Sequence, residues 1–163
     1  MTIGKQEHLE SARRIKKELL ATLEGMDYCL DWKQDPAEWS AREMVYHILD
    51  TPPGGVHSLV KGILSGEVRE YDLWSDLTNV TPERSGYDMA EITVDIESFF
   101  QGLEDALSGA SDADLETKTV VMHQKSRGVD EERTVKAILE RTLNGHIPEH
   151  LAQLQGLRDA LGL

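Results

Sequence analysis

One cysteine, Cys29, is present in this sequence, so no disulfide can close within the chain. No basic cluster surrounds it, and it reads as a small buried apolar residue rather than a redox centre or nucleophile. Long hydrophobic runs are also missing. Nothing approaches the roughly 18 consecutive apolar residues of a membrane span. The opening stretch, Met1 to Arg14, is polar and charged without an apolar signal core, so the expected location is cytoplasmic and no membrane partner is expected. Basic side chains are scarce as well: 17 Lys and Arg against 30 Asp and Glu give a formal net charge of -13. Such a surface repels phosphate backbones, which argues against nucleic acid as a partner. The one basic cluster, Arg13, Arg14, Lys16 and Lys17, shares its helix with Glu7, Glu10 and Glu18 and reads as a solvated face. There is no internal repeat and no low-complexity tract.

What is present describes a globular protein. With 39% apolar and 29% charged residues over 163 positions, the chain is most simply one domain, 1–163, large enough to bury a core without disulfides or structural metal. Ile15, Leu19, Leu23 and Met26 recur at helical spacing and predict a first helix over 5–25, ended by Gly25. Ser40 followed by Glu43 is a capping box that pins the start of a second helix, with Trp39 placed to staple onto Met44. In that register Met44, His47, Ile48 and Thr51 share a face. Pro52-Pro53-Gly54-Gly55 must bend or break the helix, and Val56 to Leu64 resume it, giving one interrupted arm. Glu67 to Met89 is polar and irregular, a segment whose length suits a functional cover. Ile92, Ile96, Phe99, Phe100, Leu103 and Leu107 predict a third long helix, and a fourth runs from about Thr134 to the end. Before it, Thr117 to His123 carries a strand signal, consistent with a small hairpin between Lys118 and Val135 that turns near Arg127-Gly128. The expected fold class is all-α: an antiparallel four-helix bundle with a short hairpin before the last helix.

The most informative feature lies in that last helix. Leu139, Thr142, His146, His150, Leu154, Leu157 and Leu161 fall within roughly 60° of one line along it, so two histidines occupy an inward stripe otherwise held mainly by leucines. One helical turn apart, about 6 Å along the axis, both rings lean the same way and can converge on one cation. His47, beside core residues of the second helix, is the candidate third donor. Inward histidines in a dry core are costly unless their nitrogens are paired, and one divalent cation would satisfy all three. Asp50 and Glu149 are the candidate acceptors for the far ring nitrogens, although Glu149 is turned about 100° from His150 and Asp50 is better placed. Three imidazoles without thiolate or carboxylate suit zinc, nickel or iron(II), with zinc favoured, and leave a coordination position for water or substrate. Gly145 and Pro148 predict a kink or π-type bulge over 144–148 that aims His146; the competing expectation is a helix break with Pro148 in a new first turn. His8, His57 and His123 are expected at the surface.

Two motifs carry a family resemblance: Trp39-Ser40-Ala41-Arg42-Glu43-Met44-Val45-Tyr46-His47, and His146-Ile147-Pro148-Glu149-His150-Leu151-Ala152-Gln153-Leu154 followed by Leu157-Arg158. With Leu103 to Leu115 between them, the chain resembles the DinB/YfiT-like family of metal-dependent enzymes over nearly its whole length. The resemblance implies a four-helix bundle that binds a divalent metal through His47, His146 and His150, and an activity among thiol-dependent transferases or isomerases and hydrolases. Water or a low-molecular-weight thiol would be activated, with a small molecule as partner. The alternative function is a non-catalytic bundle that binds a metal or ligand and acts through homodimerisation.

Overall fold

The computed structural model describes residues 4–163. Helix α1 (Lys5–Leu23) buries Leu9, Ala12, Ile15, Leu19 and Leu23 along one stripe. Helix α2 (Ala41–Asp50) starts where its capping box requires, with Ser40 Oγ accepting from the Glu43 N–H at 3.2 Å and Glu43 Oε1 accepting from the Ser40 N–H at 3.1 Å. The proline-glycine break separates α2 from α3 (Val56–Ser65). Gly55 sits at φ 88°, and a Cβ there would lie 2.5 Å from the Leu49 carbonyl oxygen, so only glycine lets the chain turn back this tightly. Helix α4 (Met89–Ser108), capped by Asp88, supplies Ile92, Ile96, Phe99, Phe100, Leu103 and Leu107 to the core, and the short α5 (Asp112–Thr117) follows.

The expectation of an all-α, antiparallel four-helix bundle is overturned: the helices are more numerous than four, and a three-stranded mixed sheet in the order β1-β2-β3 packs with them. The hairpin strands, β2 (Thr119–Gln124) and β3 (Val129–Thr134), are antiparallel and lie between Lys118 and Val135. The element without a sequence signal is β1 (Glu70–Leu73), which pairs parallel with β2, Glu70 opposite Val121 through Leu73 opposite Gln124. Glu-Tyr-Asp-Leu does alternate polar and apolar residues, with Tyr71 and Leu73 the less exposed pair, but a four-residue alternation within a polar segment is too short to signal a strand by itself. Its pairing comes from backbone bonds contributed some fifty residues later, such as Val121 N–H to the Arg69 carbonyl at 3.0 Å and Lys125 N–H to the Leu73 carbonyl at 2.8 Å. The 67–89 segment is therefore only partly irregular, since a single 3₁₀ turn (Arg84–Gly86) also interrupts it.

The C-terminal helix is continuous but not uniform. Helix α6 (Val135–Arg141) passes into a π-helical turn (Thr142–His146) and then into α7 (Ile147–Ala160), with Pro148 in the first turn of α7. The bulge expected near Gly145 and Pro148 is thus present, just upstream of the proline. A proline at 148 has no N–H to offer the carbonyl one turn back, and the wider turn accommodates that loss without breaking the rod. Helix α1 packs on α4 and α7, α3 packs on α4, and α2 packs on α7, so one contiguous core runs through the helices and reaches Val120 of the sheet. No helix among the described residues is long and apolar enough to cross a membrane.

Candidate metal centre

The α2–α7 contact brings His47, His146 and His150 together. His47 Nε2 lies 2.9 Å from His146 Nε2, and His150 Nε2 lies 3.2 Å from the same atom. The ligating nitrogens of all three lie within 4.8 Å of one another. The π turn delivers the His146 ring at this point, and α-helical spacing puts His150 beneath it, the two rings edge-on with centroids 4.7 Å apart. His47 is 1% exposed and His150 9% exposed, whereas His146 is half-buried and forms the more open side of the cluster. Trp39, the residue before the α2 cap, closes another side: its ring is tilted against His47 at 4.7 Å and stacked near-parallel on His150 at 5.9 Å.

The far nitrogens define the tautomers. His47 Nδ1 lies 2.5 Å from the Leu77 carbonyl oxygen, which can only accept, so Nδ1 carries the hydrogen. His150 Nδ1 donates to Gln153 Oε1 at 2.8 Å. In both neutral rings Nε2 is then a bare lone pair aimed at His146 Nε2. A neutral His146 can offer at most one hydrogen to two lone pairs, so at least one close N···N contact has nothing between its nitrogens. A shared cation removes that repulsion. A proton is a poor candidate at neutral pH, because burial, then the neighbouring His150 and His47, push His146 down to about 4. Burial also lowers the pKa of His47, with the Leu77 bond opposing. Around a tetrahedral zinc with Zn–N of about 2.0–2.1 Å, ligand nitrogens are about 3.3 Å apart, close to the separations seen at His146. The three histidines thus form a cluster that can hold a divalent ion.

The residues expected to brace the rings are elsewhere. Asp50 is occupied by the Gly54 N–H at 2.8 Å and by Arg84 Nη1 at 2.9 Å, on the outer side of the α2 terminus. Glu149 is exposed and touches none of the three rings. Their places are taken by Leu77, a backbone acceptor thirty residues from His47, and by Gln153, three residues past His150 and therefore on its face of α7. The spacing of His150 and Gln153 was a usable signal in the sequence, whereas a carbonyl in an irregular segment leaves none.

The 74–88 segment is fastened over α2 by polar contacts. Asn79 Nδ2 donates to the Tyr46 carbonyl at 3.2 Å and to Thr51 Oγ1 at 2.9 Å, with Asn79 itself at φ 61°. Arg42, buried within α2, donates to the Arg84 and Tyr87 carbonyls at 2.7 and 2.6 Å while pairing with Asp31. Arg84 reaches back to Asp50 and lies over the Tyr46 ring. These bonds set the position of the Leu77 carbonyl and hence of the His47 ring. Beside His150, a cavity of about 450 Å³ opens between the 34–39 connection, α2 and α7.

The other histidines divide. His123 is at the surface as expected, bonded to Asp130 at 2.7 Å. His8 is not: it is 2% exposed, and its Nε2 has no hydrogen-bond partner among the described residues. It shares the stripe of Ala12, Ile15 and Leu19, a spacing visible in the sequence. His57 is half-buried, its ring edge-on to Phe99 at 5.0 Å and packed over Gly102, with Nδ1 buried and unpartnered.

No protein-family model, no curated protein and no solved structure matches the chain. The resemblance to the DinB/YfiT-like family therefore rests on its two sequence motifs.

Proposed function

We propose that this chain is a divalent-metal-dependent enzyme related to the DinB/YfiT-like family, with His47, His146 and His150 holding the ion and the open side near His146 admitting water or a small thiol. The observation that carries the reading is the convergence of three Nε2 atoms while the Nδ1 atoms of His47 and His150 are committed to acceptors. An all-imidazole donor set favours zinc, then nickel or iron(II), over calcium or magnesium. Three protein ligands leave a position free, the arrangement of catalytic rather than structural zinc sites. A divalent ion held by His47, His146 and His150 would lower the pKa of a bound water or thiol and polarise a carbonyl, which would make hydrolysis and thiol transfer the accessible chemistries.

The chain's own residues do the positioning. Leu77 and Gln153 hold two of the rings by their far nitrogens, Trp39 packs between the cavity and the His47 and His150 rings, and the fastened 74–88 segment keeps His47 from rotating. The cavity beside His150 favours an enzyme over a saturated structural site, because it leaves room for a small molecule next to a ligand.

Elemental analysis after dialysis against zinc tests the reading. The wild-type chain should retain about one ion, and His47→Ala, His146→Ala and His150→Ala should each lose it. Wild-type metal content in all three variants would refute the site. In the cobalt-loaded protein, a charge-transfer band on adding a thiol would select thiol chemistry over hydrolysis.

A further inference from the structure

The cavity beside His150 has a charge character that narrows what can enter it. Its volume of about 450 Å³ is that of a small-molecule site. Trp39, Met44 and Leu157 give it an apolar wall, and Gln34, Glu38 and Gln153 are the polar groups around the opening. No lysine or arginine lines it. The nearest basic residues in sequence are engaged elsewhere. Lys33 Nζ lies 3.1 Å from Glu43 Oε1, and Arg158 Nη1 donates to the Thr22 and Glu24 carbonyls across the α1 terminus.

Glu38 is held at the rim by a turn in which Asp35 accepts from the Ala37 N–H at 2.8 Å and from the Glu38 N–H at 2.9 Å. Its carboxylate has no ion pair or hydrogen bond among the described residues. The adjacent Trp39 ring is fixed by its contacts with His47 and His150. A carboxylate and an immobilised indole lining one cavity can together attract an ammonium group, through charge and the ring quadrupole. It repels a carboxylate, and the chain's net charge of -13 adds to that repulsion. Gln153 has its oxygen committed to His150, so its amide N–H groups remain to orient a neutral acceptor.

Resting on the metal-site reading above, we propose that this cavity binds the non-reacting part of the substrate, and that this part is an apolar body bearing a cationic amine. Among small thiols, it takes aminothiols and rejects those that carry free carboxylates. Glu38 is the specificity-determining residue, acting by charge at the rim and not on the ion.

Isothermal titration of the full chain with 2-phenylethylamine and with 3-phenylpropionate, probes of similar shape and opposite charge, tests this in the metal-free and zinc-loaded protein. In the metal-free chain the amine should bind about tenfold or more tighter than the carboxylate. Glu38→Gln should remove most of that preference and Glu38→Lys should reverse it; Glu38 is exposed, so neither change should affect folding. Equal or tighter binding of the carboxylate, no saturable amine binding, or an unchanged preference in Glu38→Gln would overturn the proposal. Because the preference is read without metal, it survives if the ion reading fails. Conversely, a chain that retains zinc but shows no charge preference sinks the cavity assignment alone.

Discussion

Two sets of buried and half-buried histidines occupy this molecule, and they differ in what their nitrogens meet. In the α2–α7 cluster, two far nitrogens are tied to Leu77 and Gln153 and the near ones face each other at 2.9 and 3.2 Å. At His8 and His57, one ring nitrogen is buried with no hydrogen-bond partner among the described residues and no second imidazole facing it. Burial of an imidazole is therefore not by itself a sign of a ligand. Convergence is the sign, because only in the cluster do lone pairs crowd a common point that a cation can occupy. The isolated pair bears an uncompensated desolvation cost, of the order of 1–3 kcal/mol per unmade hydrogen bond.

The sharpest way to break the comparison is to exchange roles. Removing any one cluster imidazole should weaken zinc binding by more than about a hundredfold, exceeding the usual effect of a residue that only braces a ligand. His8→Leu and His57→Phe should leave it unchanged, as measured by competition with a chromophoric chelator. A smaller effect is expected one step out. Gln153→Leu deprives His150 Nδ1 of its acceptor while preserving bulk, and zinc affinity should fall by about 10- to 100-fold, with the ion still bound at saturation.

Acidification destabilises the metal-free protein through both sets. Burial lowers the pKa of His8, with Glu140 opposing, and lowers that of His57, with Asp50 opposing. When a folded pKa is depressed, the unfolded chain takes up the proton first. The associated stability is present above the unfolded value near 6.5 and is lost as pH falls below it. In the metal-free protein, denaturant midpoints should thus drop between about pH 6.5 and pH 4, the lower limit set by His146. His8→Leu should recover part of that loss at about pH 5 and little at pH 8. The smallest effects belong to the two carboxylates. Asp50→Asn loosens Arg84 and should cost up to about 1 kcal/mol of stability without altering metal content, and Glu149→Gln should alter neither.

The features that could be read from the sequence were those set by near neighbours. Ser40 and Glu43 fix the α2 register within one turn, which is why His47 could be placed inward. Gly145 and Pro148 announce the π turn because a missing N–H acts on the carbonyl one turn back. The inward stripe of α7 follows from spacing alone. What escaped depends on backbone atoms meeting across long separations. Strand β1 exists because β2 offers it hydrogen bonds, and Leu77 holds His47 through a carbonyl that any residue type would supply. Helical spacing and charge point to carboxylates, Asp50 and Glu149, for the bracing role, whereas the fold uses that carbonyl and the Gln153 amide. His8 was legible on the stripe of Ala12 and Ile15, but its polar ring and polar neighbours pointed outward.

Anomalous diffraction at the zinc edge from crystals of the zinc-loaded chain tests the central claim most directly. The account predicts one dominant peak about 2.0–2.1 Å from the Nε2 atoms of His47, His146 and His150 together. A zinc-loaded crystal with no peak between those three rings, or with its dominant peak at His8, His57 or His123, would contradict it.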